Sequence, residues 1–156
     1  MKTYAELIAD ALSEIEEIFP WDLDEKLKEG ADPILLDVRE PEEFKAARIK
    51  GSINVPRGTL ETAVEWDFDD TVPELAARRD REVIVICRSG NRSALAAQTM
   101  KHMGFEKPVS LKTGVRGWND FELPLYDEND KQVDVDDADE MLASKVSPEQ
   151  QKPKDA

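Results

Sequence analysis

The chain alternates short apolar runs with amphipathic stretches. Tyr4, Leu7, Ile8, Ala11, Leu12 and Ile15 recur at helical spacing with acids between them, which predicts an amphipathic first helix. "EIFPW" then reads as extended. Asp22 is placed to cap a helix over about Leu23 to Lys28, which Gly30 stops. "PILLDV" is unbroken in its apolar character and predicts a buried strand. "EPEEFKAARI" predicts a short helix with Pro41 in its first turn, and "SINVP" a second strand closed by a proline. Residues 60–79 read as two helical pieces broken near "DFDDTVP". "EVIVIC" is the clearest strand. A helix over 93–103 follows, ended by "GF", and "PVSLKTG" gives a fourth strand and turn, with a short segment through Trp118.

Strands alternating with helices predict an α/β fold around a parallel sheet. In such sheets ligands bind beyond the carboxyl ends of the strands. From about Asp127 the core pattern stops. "DVDDADEMLASKV" reads as at most a short helix, and "SPEQQKPKDA" as disordered. No internal repeat is visible.

The length of 156 residues suits one domain with its own core. The net charge of −14 is concentrated at the ends. Residues 1–30 carry −6 and residues 120–140 carry −9, whereas residues 31–119 are neutral. That distribution argues against nucleic acid and anionic lipid as partners. The first twenty residues hold five acids and do not read as a signal peptide, and no run is long enough to span a membrane. A cytoplasmic location is the expectation.

Cys87 is the only cysteine, so no internal disulfide, CxxC pair or cysteine-rich zinc site can form. It ends the third strand and opens "CRSGNRS". Three features of that turn favour the thiolate, the reactive form of the thiol. Arg88 and Arg92 bring positive charge. Successive backbone N–H groups between strand and helix form an anion-binding nest. The helix that follows adds the positive end of its dipole. Gly90 lets the turn close, since glycine accepts a positive φ. A buried cysteine without chemistry is the plainer alternative.

Three stretches in order resemble the rhodaneses, single-domain sulfurtransferases: "LLDVREPEEFKAARIKGSINVP", the loop "CRSGNRS", and "GVRGW". The resemblance covers about residues 16 to 125. It leaves residues 1–15 as an amphipathic helical extension and residues 126–156 as an acidic, partly disordered tail. It implies a three-layer fold, a central parallel sheet with helices on both faces. It also implies covalent chemistry in two steps. The Cys87 thiolate takes the outer sulfur of a small anionic donor such as thiosulfate, and the resulting persulfide passes sulfur to cyanide or to a thiol or protein-thiol acceptor.

In that scheme Arg88, Ser89, Gly90, Asn91 and Arg92 bind the substrate. Arg88 holds the oxyanion, and Arg92 closes the loop and adds to its positive field. Asp37 and Arg39 anchor the sheet, with Glu43 as a partner for Arg39. Trp118 serves the core or the pocket wall. Arg57, Lys112 and Arg116 either add field at the mouth or stand exposed and uninvolved, and His102 has no catalytic role. No metal or cofactor is expected. Two other functions compete. A related phosphatase or arsenate reductase would place five residues between cysteine and arginine, where this chain has four, Arg88 to Asn91. A sulfur carrier relaying between protein partners would use the same cysteine.

Overall fold

The computed structural model describes residues 1–155. Five parallel strands form one sheet: β1 (Glu16–Ile18), β2 (Ile34–Asp37), β3 (Ile53–Asn54), β4 (Val83–Ile86) and β5 (Pro108–Leu111). Their spatial order is β1-β5-β4-β2-β3. β4 is central, paired to β2 with Ile34 opposite Val83 and to β5 with Ile84 opposite Val109. All four residues of β2, β4 and β5 are buried, as strands covered on both faces must be.

Alternation along the strands sends side chains into two cores. Ile34, Leu36, Val83 and Val85 face one side. There they meet Leu60 and Ala63 of α4 (Leu60–Ala63), Leu75 of α5 (Pro73–Ala77), and Ala96, Ala97 and Met100 of α6 (Asn91–His102). Leu35, Ile84, Ile86 and Leu111 face the other. There they meet Leu23 of α2 (Pro20–Lys28), Val115 and Trp118 of α7 (Gly114–Asp120), and Ala138 and Leu142 of α8 (Val135–Leu142). This is the expected three-layer α/β arrangement. No helix among the described residues is long and apolar enough to cross a membrane.

Local chemistry explains the departures from the predicted elements. The extended reading of residues 17–21 holds only for Glu17 and Ile18, which with Glu16 form a true edge strand because they find β5 as a partner, Ile18 opposite Leu111, whereas Pro20 and Trp21 already belong to α2. α2 starts at Pro20 rather than near Leu23: proline at the first helical position supplies a preset φ and lacks only an N–H that would be unpaired anyway. Asp22 therefore sits inside the first turn instead of capping it. α3 (Pro41–Ala46) is held by a capping box in which Glu43 accepts the Glu40 N–H at 2.9 Å. α1 (Tyr4–Leu12) lies on α6 of the same chain. Ala11 is fully buried there, while Tyr4 and Leu7 stay exposed. Glu14 ties the junction, accepting from Gln98 and pairing with His102 at 3.3 Å.

The core continues past residue 125. Asp134 caps α8, its carboxylate accepting from the N–H groups of Asp136 and Asp137. The buried Asn119 side chain donates to the Val135 carbonyl at 3.1 Å and to the Asp139 carboxylate at 2.8 Å. α8 is thus docked on α7 and contributes Ala138 and Leu142 to the second core.

Candidate active site

β4 runs directly into Cys87, and α6 begins at Asn91. The turn between them has little freedom. Gly90 takes φ 95°, and a Cβ there would stand 3.1 Å from the Thr113 nitrogen. A segment distant in sequence forms the floor. The N–H groups of Val115 and Arg116 donate to the carbonyls of Cys87 and Arg88, each at 2.9 Å. Gly114 makes that approach possible: a Cβ on it would fall 2.4 Å from the Cys87 carbonyl oxygen.

Three groups converge on the Cys87 sulfur, which belongs to a residue only 1% exposed. The N–H groups of Gly90 and Ser93 point at Sγ from 3.1 and 3.2 Å. The Ser93 hydroxyl lies 3.3 Å away, accepting from the thiol or donating to a thiolate. It is held in turn by Ser110 of β5, Oγ to Oγ 2.8 Å, and both serines are fully buried. Negative charge on the sulfur would meet fixed donors without rearrangement. Ser93 and Ser110 were not singled out from the sequence. The available signal was a hydroxyl inside the apolar "PVSL" strand, since a buried polar group needs a partner.

The arginines divide into paired and unpaired. Arg39 is buried and clasps Asp37 with Nε and Nη2 at 2.9–3.1 Å, and its Nη2 also donates to the Ala47 carbonyl at 2.7 Å. Asn54 donates to the carbonyls of both residues, tying β3 to this clasp. Glu43 does not partner Arg39. It takes Arg92 instead, through two contacts of 2.9 Å, because α3 points its carboxylate at the first turn of α6. Burial opposes ionisation of Glu43, but Arg92 and the Glu40 N–H outweigh it and hold the carboxyl below its usual range. The same hydrogen bond raises Arg92 above the usual guanidinium value. Arg92 therefore bridges loop and α3 with its charge already matched. Arg88 makes no side-chain ion pair among the described residues.

Ser89 and Asn91 stand exposed at the rim, while Gly90 is buried. Trp118 is a core residue, its indole N–H donating to the Pro124 carbonyl at 3.0 Å. Arg57 is engaged with Glu61 and Thr99. Lys112 lies 4.9 Å over the Phe19 ring, and Arg116 is exposed. No cluster of three metal-ligating side chains occurs among the described residues. Beside Arg88 is a cavity of about 90 Å³ that also touches Arg39 and Glu43.

The chain is similar to known proteins in sequence and in fold. The family model described as a rhodanese-like domain matches residues 20–121. The Bacillus subtilis "Putative sulfur carrier protein YrkF" is 40% identical over 85 residues, which are 54% of this chain and 40% of that protein. The chain thus spans less than half of that relative. Rhodopseudomonas palustris RPA3614, solved as a protein of unknown function and "Possible Tyrosine Phosphatase", superposes with a TM-score of 0.73 at 28% identity, covering 80% of this chain and 95% of that one. A thiosulfate sulfurtransferase from Pseudomonas aeruginosa shares the fold, with a TM-score of 0.67 at 23% identity over 89% of this chain and 26% of that one. With its sheet order, its cysteine loop at the end of β4 and a family match over most of its length, the chain belongs to the rhodanese-like family.

Proposed function

We propose that the protein is a sulfurtransferase that carries sulfane sulfur as a persulfide on Cys87. The observation that supports this most directly is the convergence of the Gly90 N–H, the Ser93 N–H and the Ser93 hydroxyl on one sulfur atom. The Cys87 thiolate attacks the outer sulfur of thiosulfate or of a persulfide donor. A new S–S bond forms, the old one breaks, and its electron pair leaves with sulfite or with the donor thiolate. Arg88, free of an ion pair, meets the oxyanion end of the donor. A nucleophile, cyanide in an assay or a thiol in a reducing cytoplasm, then takes the outer sulfur and returns the thiolate. With no second cysteine in the chain, the acceptor comes from outside.

The short loop favours this reading over phosphoryl transfer. Four residues between Cys87 and Arg92, and an Arg92 already bound to Glu43, suit a single sulfur atom better than a tetrahedral oxyanion. A relay role between proteins uses the same chemistry, and the name of YrkF points that way. Intact mass after thiosulfate, then after cyanide, tests the proposal: one added sulfur that cyanide removes is expected. An unchanged mass with every donor would refute it.

A further inference from the structure

Ser110 does not touch the Cys87 sulfur, yet its place in β5 sets which way the third donor at that sulfur points. Val109 and Leu111 turn into the second core, so the residue between them faces α6. Its fully buried hydroxyl has one hydrogen-bond partner among the described residues, the Ser93 hydroxyl at 2.8 Å. Each hydroxyl has one proton to donate and lone pairs to accept. Were the thiol to donate to Ser93, Ser93 would donate to Ser110. The Ser110 proton would then be buried with no acceptor among the described residues. In the opposite direction Ser110 donates to Ser93 and Ser93 donates to Sγ, so both hydroxyl protons are placed. The sulfur then accepts from the Gly90 N–H, the Ser93 N–H and the Ser93 hydroxyl.

Resting for its purpose on the sulfur-transfer reading, we propose that Ser110 is a positioning residue that acts through Ser93. It holds the Ser93 hydroxyl as a donor toward Cys87, so that a thiolate formed there meets a third fixed hydrogen bond. The direction comes from hydrogen-bond accounting inside the core rather than from the charges outside it. Those charges are Arg88, the Arg92–Glu43 pair between α6 and α3, the Asp37–Arg39 pair at the end of β2, and Lys112 and Arg116 beyond β5. None of them bonds either hydroxyl. Ser110 is also the one polar side chain of β5, between valine and leucine, where alanine or valine would satisfy the packing alone.

The ultraviolet absorbance of the thiolate, followed against pH in the full chain with Cys87→Ser subtracted, reads ionisation with no sulfur donor present. Ser110→Ala should lower the ionisation constant of Cys87 roughly 2- to 12-fold, the worth of one neutral hydrogen bond. Ser110→Thr and Ser110→Val burden the strand with nearly the same shape and differ in the hydroxyl, so the threonine variant should ionise at the lower pH of the two. In a Ser93→Ala background, Ser110→Ala should change nothing further, because the group it directs is gone. A merely structural role would lower the melting temperature and leave the titration in place. An unshifted titration in Ser110→Ala, equal titrations for the threonine and valine variants, or the full Ser110 effect without Ser93 would each overturn the proposal. Intact mass after thiosulfate reads the reaction separately. A Ser110 effect on ionisation with no sulfur gained from any donor would refute sulfur transfer and leave the role of Ser110 standing.

Discussion

Arg92 and Glu43 form a two-pronged ion pair, Nη1 to Oε2 and Nη2 to Oε1 both 2.9 Å, that joins the first turn of α6 to α3 across 49 residues of sequence. It shuts one side of the cysteine loop with charges that cancel. Glu43 is further held by the Glu40 N–H, so the carboxylate is positioned before Arg92 reaches it. The pair bears on stability as well as on the site.

Because Glu43 ionises more readily in the folded chain than its ordinary value of 4.5, its contribution is present above that value. It is lost as the pH falls through the lower folded value. Wild-type protein should therefore lose part of its stability below about pH 4.5, and Glu43→Gln should start less stable and lack that component. Urea midpoints at pH 7, 4.5 and 3 for both proteins test this, and parallel pH profiles would contradict it.

Cys87→Ser should abolish sulfur transfer with the fold intact, since the chain has no other thiol to hold a persulfide. Turnover well above background in folded mutant, judged by circular dichroism, would remove Cys87 from the reaction.

Replacing Arg88 with alanine should weaken thiosulfate use by roughly 10- to 150-fold, the worth of a hydrogen bond to a charged group, and affect an uncharged persulfide donor less. The comparison is of kcat/KM for the two donors. Equal losses would mean that Arg88 acts on the cysteine rather than on the donor.

Gly114→Ala should disrupt the site without touching the thiol. The new Cβ would stand 2.4 Å from the Cys87 carbonyl and 2.5 Å from Arg88, at a φ of 61° that alanine resists. A loss of about 2 kcal/mol or more is expected from such a backbone clash. Thermal melting and persulfide loading should both fall, and a variant that loads normally would show that the floor is less rigid than it looks.

Much of this architecture could be read from residue order. "PILLDV" and "EVIVIC" announced the central strands because a strand covered on both faces must be apolar throughout, and the cysteine at the end of one marked the site. β1 read only as extended because two of its three residues are glutamates; its strand character comes from pairing with β5, 93 residues on. The partner of Glu43 is hidden in the sequence for a similar reason. Two arginines are available, and in the fold Arg39 is taken by Asp37 and the Ala47 carbonyl, while Arg92 reaches Glu43. α8 is rich in aspartate, and its buried stripe is two residues, Ala138 and Leu142, too few to stand out before α7 supplies a surface.

The floor beneath Cys87 bears on how portable the loop is. The seven residues "CRSGNRS" carry the thiol and both N–H groups aimed at it. They do not carry what holds those N–H groups in position. The carbonyls of Cys87 and Arg88 are clamped by Val115 and Arg116, and Ser93 is braced by Ser110, all from a stretch that begins some twenty residues later. Grafted alone onto another strand–helix junction, the heptapeptide would bring a nucleophile without its cradle. The smallest transplantable unit is β4 through α7, residues 83–120, in which the second half supplies shape rather than chemistry.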